Sequence, residues 1–446
     1  MNTGNEYYPR IIKSFLDNDL YKFSMCGMFL KHFSEMEGEY EFFDRSDRVY
    51  PDGFAEQLWH QIELMKDVYI TDIELEYLFN ACPWLYQPLR TFLRGYRYDT
   101  EHIICRQDEQ GHLILKYHGP KLNKIFWEVP MMAIISELYY KMTGLDTLFD
   151  YDEYYKYTYE KGIRLLEAGC VFSDFGTRRR ASFKAQEVAV RALHDAYKSR
   201  DWSDTGGRFL GSSNPYFCMT IDPENMKPAG TIAHEASLAI GAIYGISQAH
   251  KILSKAWINT YNGECGIYLP DSFSAKTFTS QFEKSDYMAW SGLRVDSGEN
   301  MDIFKLFVSL YEENSIRPET KQVIFSNALD VDSAIDIHKK VDKKVMDGYG
   351  IGTHFTNDFI GLCKKLGRPI TLLISMDSPD RFLRGKELKL EALNMVIKMV
   401  AARLGVKDWW HKIAKLSFDP SKATGSPEAI AATRAQIPEN SETLDY

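Results

Sequence analysis

The sequence predicts an α/β protein built on an irregular, incomplete (β/α) barrel. Three observations carry this expectation. From about residue 150, helical patterns alternate with short apolar runs, the signature of β/α units on a parallel sheet. Each run ends in a polar or glycine-rich loop bearing residues of chemical interest: Asp174, 212–214, Asp271, 294–296, 326–327 and 350–353. Strand ends of this kind gather around one mouth when the sheet closes. The candidate strands number six or seven, fewer than a regular eight-fold barrel needs.

Taken in order, the first 145 or so residues look mixed. Helical patterns at 20–33, 54–65, 72–79 and 130–142 accompany short strands at 40–43 and 112–118. The rhythm then changes. A helix over 152–168 leads into CVFSDFG, one over 182–197 into RFLGSSN, and one over 233–257 into CGIYLPDSF. AWSGLRVDSGEN, a helix over 301–313, KQVIFSNALD, a helix over 331–340 and VMDGYGIGTHFTND follow. A strand-like run at 395–399 and a polar tail close the chain. No internal repeat or low-complexity tract is present.

Length and composition bound the function. At 446 residues, two domains of about 150 residues or more are expected. A composition of 45% hydrophobic and 26% charged residues is that of a globular protein. The net charge of −9 argues against nucleic acid or an anionic membrane as partner, so any anion site must be local. There is no apolar run long enough for a membrane span and no signal-peptide pattern, so a cytoplasmic location is expected. The seven cysteines are scattered without zinc spacing and read as reduced filler thiols. No residue is assigned as a metal ligand.

Four loops carry chemistry. In GYGIGT, Gly348, Gly350 and Gly352 let the backbone approach a phosphate, with Thr353 as a hydroxyl donor; the Gly-Lys-Ser/Thr of a P-loop is missing. In SGLRVDSGEN, Arg294 and Asp296 are two apart and share one face of a strand. That pairing suits a phosphorylated sugar, guanidinium to phosphate and carboxylate to ribose hydroxyl or Mg2+. In DFGTRRRASF, Phe175 offers a ring face and Arg178 a bidentate grip on a carboxylate or phosphate. At least one of Arg178, Arg179 and Arg180 is expected to serve structure instead. In PAGTIAHEAS, Thr231 is expected to cap a helix whose first turn holds His234, where the positive helix end favours a neutral, nucleophilic ring.

These loops, in this order, resemble the nicotinate phosphoribosyltransferase family. FLDNDLYKFSM is similar to the family's D-x-D-x-Y-K entry; FGTRRR, GSSN, GTxAHE, RxDSG, FSNALD and GIGTxxTND follow in family order, and LNMVIKM and IAKLSFDPSKATG resemble its closing strand and last motif. The resemblance spans roughly residues 14–435. It implies a discontinuous α+β domain from 1–148 and 390–446, joined to a barrel over 149–358 with the phosphoribosyl site. It implies a homodimer with a shared active site, and transfer of phosphoribosyl from phosphoribosyl pyrophosphate to nicotinate with Mg2+ and coupled ATP hydrolysis. By this resemblance Tyr21, from the partner subunit, and Phe175 flank the pyridine ring, and Arg178 contacts the substrate anion. Arg294 and Asp296 hold ribose and phosphates, with Thr231 and Ser326 as further substrate contacts. Gly350, Gly352 and Thr353 cradle the 5′-phosphate, and His234 is the histidine that ATP phosphorylates.

Two features depart from the pattern. Residues 359–389 read as an insertion with a strand-like ITLLIS and a basic, helical stretch, suited to a lid, a dimer contact or a surface elaboration. In the closing motif, 415–422, Phe418 and Ser421 differ from the family's residues. The alternatives are a nicotinamide phosphoribosyltransferase, whose substrate is neutral, and a non-catalytic phosphosugar-binding protein.

Overall fold

The computed structural model describes residues 7–419 and 423–437. The first strands along the chain are β1 (Met36–Asp44), β2 (Ile103–Gln107) and β3 (Leu113–Pro120). Then come β4 (Val171–Asp174), β5 (Arg208–Ser212), β6 (Ile267–Tyr268), β7 (Gly292–Val295), β8 (Gln322–Phe325) and β9 (Met346–Ile351). A hairpin, β10 (Thr371–Leu373) and β11 (Glu387–Lys389), precedes β12 (Met395–Leu404) and β13 (His411–Lys412).

The six strands β4 to β9 form one parallel sheet in the order β5-β4-β9-β8-β7-β6. This is the cyclic order of a barrel with a single seam, between β5 and β6. Residues 227–231 run along that seam. The amides of Lys227 and Ala229 donate to the carbonyls of Leu210 and Ser212 at 2.9 Å, and the Thr231 hydroxyl donates to the carbonyl of Ile267 at 2.8 Å. Gly211, at φ +134°, permits the approach: a Cβ there would meet the Lys227 carbonyl oxygen at 2.5 Å. The barrel is thus incomplete, as the strand count predicts.

The C-terminal strands join the sheet built by the N-terminal ones. β12 pairs antiparallel with β1 from Met36↔Leu404 to Asp44↔Met395, in a sheet ordered β13-β12-β1-β3-β2. β1 and β12 bury alternate residues on the core side, which holds the register.

Most helices begin where side-chain caps place them. Asp150 caps Tyr151–Glu167, Ser182 caps Phe183–Lys198, and Asp330 forms a capping box for Val331–Val341. Two expectations need correction, and one strand was not foreseen. The helix expected over 233–257 is two, His234–Tyr244 and Ile246–Tyr261, because Gly245 takes φ +89° and ψ 144° between them. β2, the short run IICRQ, escapes the sequence reading; only Ile103 in it is buried, and its other residues are half-buried or exposed. The basic stretch of the insertion is turn and strand, with Gly385 at φ +72°. That hairpin braces the N-terminal sheet: Arg381 pairs with Asp52 at 3.0 Å, and the Phe382 ring covers Gly111. Among the described residues no helix is long and apolar enough to cross a membrane. All seven cysteines are unpaired and buried or half-buried.

Candidate active site

A cavity of about 670 Å³ opens at the C-terminal ends of the parallel strands. Ten of the eleven candidate residues line it; Thr231 does not. Its helix starts at His234 with Ala233 at the N-cap and no side-chain cap, so Thr231 stands too early to cap it and closes the barrel seam instead.

The N-terminal helix Leu20–His32 enters the mouth through buried polar contacts. Asp17 accepts from Arg180 at 2.6 and 2.9 Å and from Asn214 at 2.8 Å; Asp19 accepts from Ser213 at 2.6 Å; the amide of Leu20 donates to the Ser213 carbonyl at 2.7 Å. The spaced acids of FLDNDLYK and the GSSN loop are therefore complementary halves of one joint. It places Tyr21 in the cavity of its own chain, beside Phe175 and Arg178, which corrects the expectation that this ring comes from a partner subunit. A Cβ on Gly230 would meet the backbone nitrogen of Tyr21 at 3.3 Å, so the glycine keeps that approach open.

The three arginines of the FGTRRR loop divide their roles. Arg180 is fully buried on Asp17 and is structural. Arg178 is 40% exposed, lies 5.9 Å from the Tyr21 ring centroid, and pairs with Glu128 at 3.2 Å. Arg179 lines the cavity; burial, Arg178 and Arg45 together push its pKa down to about 10. The turn itself hangs on Asp174, which accepts from Gly176, Ser212 and Gln186 at 2.7–2.8 Å, and whose pKa burial pushes up to about 6.

Arg294 and Asp296 share a face, as their spacing predicts. Arg294 Nη2 meets Asp296 Oδ1 at 2.7 Å, its Nε donates to Ser326 Oγ at 2.7 Å, and Ser326 donates on to Asp296 at 2.7 Å. Arg294 also lies 5.5 Å from the Phe175 ring centroid. Gly350 belongs to β9, and its missing side chain makes room for that ring: a Cβ would sit 2.4 Å from two ring carbons. Gly352 and Thr353, past the strand end, line the cavity wall.

His234 opens its helix, and its Nε2 lies 2.7 Å from Asp271 Oδ1 and 2.9 Å from Lys415 Nζ. Asp271 Oδ2 accepts from Lys415 at 3.0 Å and from Ser297 at 2.5 Å. Burial and the Lys415 charge lower the His234 pKa, partly offset by Asp271. Burial alone would raise Asp271, but His234 and Lys415 hold it well below the carboxylate range. The ring is therefore neutral near pH 7. Nε2 faces both the Asp271 carboxylate, which accepts an N–H, and the Lys415 ammonium, which donates to a lone pair, so the protonated nitrogen is set by which of the two it serves. Ligand atoms of His234, Asp271 and Asp296 lie within 4.8 Å of one another.

Sequence reasoning did not assign Asp271 and Lys415 as site residues, although it noted both segments. It also missed Arg45 and Lys398, which line the cavity with Arg179 and Lys415 as a cationic wall. Burial first, and then the charges of Arg45 and Lys415, push the Lys398 pKa down to about 7. No local pattern signals these residues, because Arg45 directly follows β1 and Lys398 lies on β12, and only the pairing of those two strands brings them together. Ser421 and Lys422 of the closing motif lie outside the described residues.

Comparison with known proteins agrees with this geometry. The model of the nicotinate phosphoribosyltransferase (NAPRTase) family matches residues 170–368, and that of the NAPRTase N-terminal domain matches 16–136. Nicotinate phosphoribosyltransferases of Desulforapulum autotrophicum and Chromohalobacter salexigens are each 32% identical, over 94% of this chain and 97% of theirs. The crystal structure of the nicotinate phosphoribosyltransferase from Porphyromonas gingivalis superposes with a TM-score of 0.82 at 32% identity, covering 96% of this chain and all of that one. On these matches, which cover most of the chain, the chain belongs to the nicotinate phosphoribosyltransferase family.

Proposed function

We propose that the protein transfers a phosphoribosyl group from phosphoribosyl pyrophosphate to nicotinate, giving nicotinate mononucleotide and pyrophosphate in NAD biosynthesis. The observation that carries this reading is a base pocket of Tyr21, Phe175 and Arg178 in the same cavity as the Arg294–Asp296 pair and a cationic wall. Two aromatic rings receive a planar heterocycle, and the guanidinium receives its carboxylate. The pyridine nitrogen lone pair forms the bond to the anomeric carbon as the bond to pyrophosphate oxygen breaks. That step develops positive charge on the sugar and negative charge on the leaving group. Asp296 faces the sugar hydroxyls; Arg179, Lys398 and Lys415 face the departing phosphates.

Asp271 and Asp296 offer hard oxygen donors close together, and Mg2+ is commonly held by one or two carboxylates plus substrate phosphates, so the residues fit that ion. When bound, it supplies charge neutralisation to the phosphates.

His234 is read as the acceptor of the ATP γ-phosphoryl group. Its unprotonated nitrogen forms the P–N bond while the bond to the ADP oxygen breaks. Asp271 stabilises the cationic ring that results, and Lys415 stands beside the added phosphoryl charge. A cytoplasmic homodimer completes the reading.

The test is phosphoribosyl transfer by the purified protein with Mg2+, offering nicotinate and nicotinamide, each with and without ATP. Preference for nicotinate with stimulation by ATP supports the whole reading. Preference for nicotinamide reassigns the base pocket. Absence of transfer with either base overturns it in favour of a phosphosugar-binding protein.

A further inference from the structure

Four charged side chains stand between the base pocket and His234 without a part in the transfer chemistry above. Lys22 and Lys121 are fully buried, and Glu235 and Glu128 are 9% and 12% exposed. Lys22 Nζ meets Glu128 Oε2 at 2.6 Å and Glu235 Oε2 at 2.7 Å. Lys121 Nζ meets Glu235 Oε1 at 2.5 Å, and the same oxygen accepts from the Tyr40 hydroxyl at 2.7 Å. Glu128 then reaches Arg178 at 3.2 Å. The chain order gives the network its sense. Lys22 follows Tyr21, the ring of the base pocket, and Glu235 follows His234. One ion pair therefore ties the neighbour of each functional residue to the neighbour of the other, across the joint between the N-terminal domain and the barrel.

Stability does not account for such an arrangement. Taking several charges out of water is costly, and apolar side chains of similar volume generally pack as well or better in their place. What this network supplies and apolar packing does not is directionality: Lys22 is satisfied only where it reaches Glu128 and Glu235 together. Here what it bears on is the separation and orientation of Tyr21 and Arg178 relative to His234.

We propose that Glu235 is a positioning residue that fixes, through Lys22 and Glu128, the base pocket of Tyr21 and Arg178 relative to His234. The proposal rests on the transferase reading.

Two variants test it. Glu235→Gln keeps shape and removes charge. The triple variant Lys22→Met, Lys121→Met, Glu235→Leu removes three of the four charges together, leaves Glu128 paired with Arg178, and keeps the fold measurable. Both are expected to raise the KM for nicotinate and to lower kcat/KM for it by up to about a hundredfold, the loss an ångström-sized misplacement can cause, while the KM for phosphoribosyl pyrophosphate stays unchanged. The triple variant is expected to melt no lower than the wild type, and Glu235→Asp to recover part of the lost affinity. Variants with wild-type KM for both substrates, whatever their melting temperature, overturn this proposal alone. Absence of transfer by the wild-type protein overturns the transferase reading and this proposal with it.

Discussion

His234 Nε2 and Asp271 Oδ1 lie 2.7 Å apart at the mouth of the barrel, one at the start of a helix and the other three residues past the end of β6. Asp271 raises the pKa of the ring, while burial and Lys415 lower it, and the net shift is downward. The neutral ring therefore persists below the ordinary histidine pKa, and ATP stimulation is expected to hold as pH falls through about 6.5 and to fail only below it. In Asp271→Asn the raising influence is gone, so that acid limb moves to lower pH. The stimulated rate falls by about tenfold or more, equivalent to about 1.4 kcal/mol. The check is a pH–rate profile with and without ATP.

Lys398, with its pKa pushed down to about 7, loses its charge as pH rises through neutrality. A bound polyphosphate favours the ammonium and raises that pKa. Pyrophosphate binding above pH 7 is therefore expected to take up a proton, measurable by calorimetry in buffers of different ionisation heat. Lys398→Met abolishes the uptake and weakens binding. In the free protein the sign is opposite: the unfolded chain holds the extra proton, so stability rises from about pH 7 toward the ordinary lysine value.

Arg178 and Arg180 are two residues apart and separate cleanly. Arg180→Ala leaves Asp17 buried without its cation, and breaking a buried pair costs about 3–5 kcal/mol. A large fall in melting temperature is expected. Arg178→Lys loses the bidentate grip at a 40% exposed position. The KM for nicotinate is expected to rise with little change in melting temperature.

Gly350→Ala places a methyl group 2.4 Å from two carbons of the Phe175 ring. The ring must move. Overpacking of this kind costs about 1–3 kcal/mol, and the displaced ring is expected to raise the KM for nicotinate. Phe175→Leu in the same background is expected to restore stability but not base affinity, as thermal melts and steady-state kinetics will show.

The sequence by itself determined the β/α rhythm, the loops at the strand ends and most of the residues that meet in the cavity. It could do so because apolar periodicity and turn chemistry are local, and because the barrel brings every strand end to one place. The Arg294–Asp296 pair was legible from the two-residue repeat of a strand alone. Thr231 was not: a threonine ahead of a helix looks like a cap, and only the open seam between β5 and β6 gives it another partner in Ile267. Gly350 looked like a phosphate contact, yet what fills the space at its Cα is a ring from a loop more than 170 residues earlier. Asp271 with Lys415, Arg45 beside Lys398, and Lys22 on Glu235 were decided by tertiary structure. Each joins segments distant in the chain, brought together when β12 returns to β1 and the N-terminal helix enters the barrel mouth. Charge pairing depends on distance and burial, and neither is written in the order of residues along the chain.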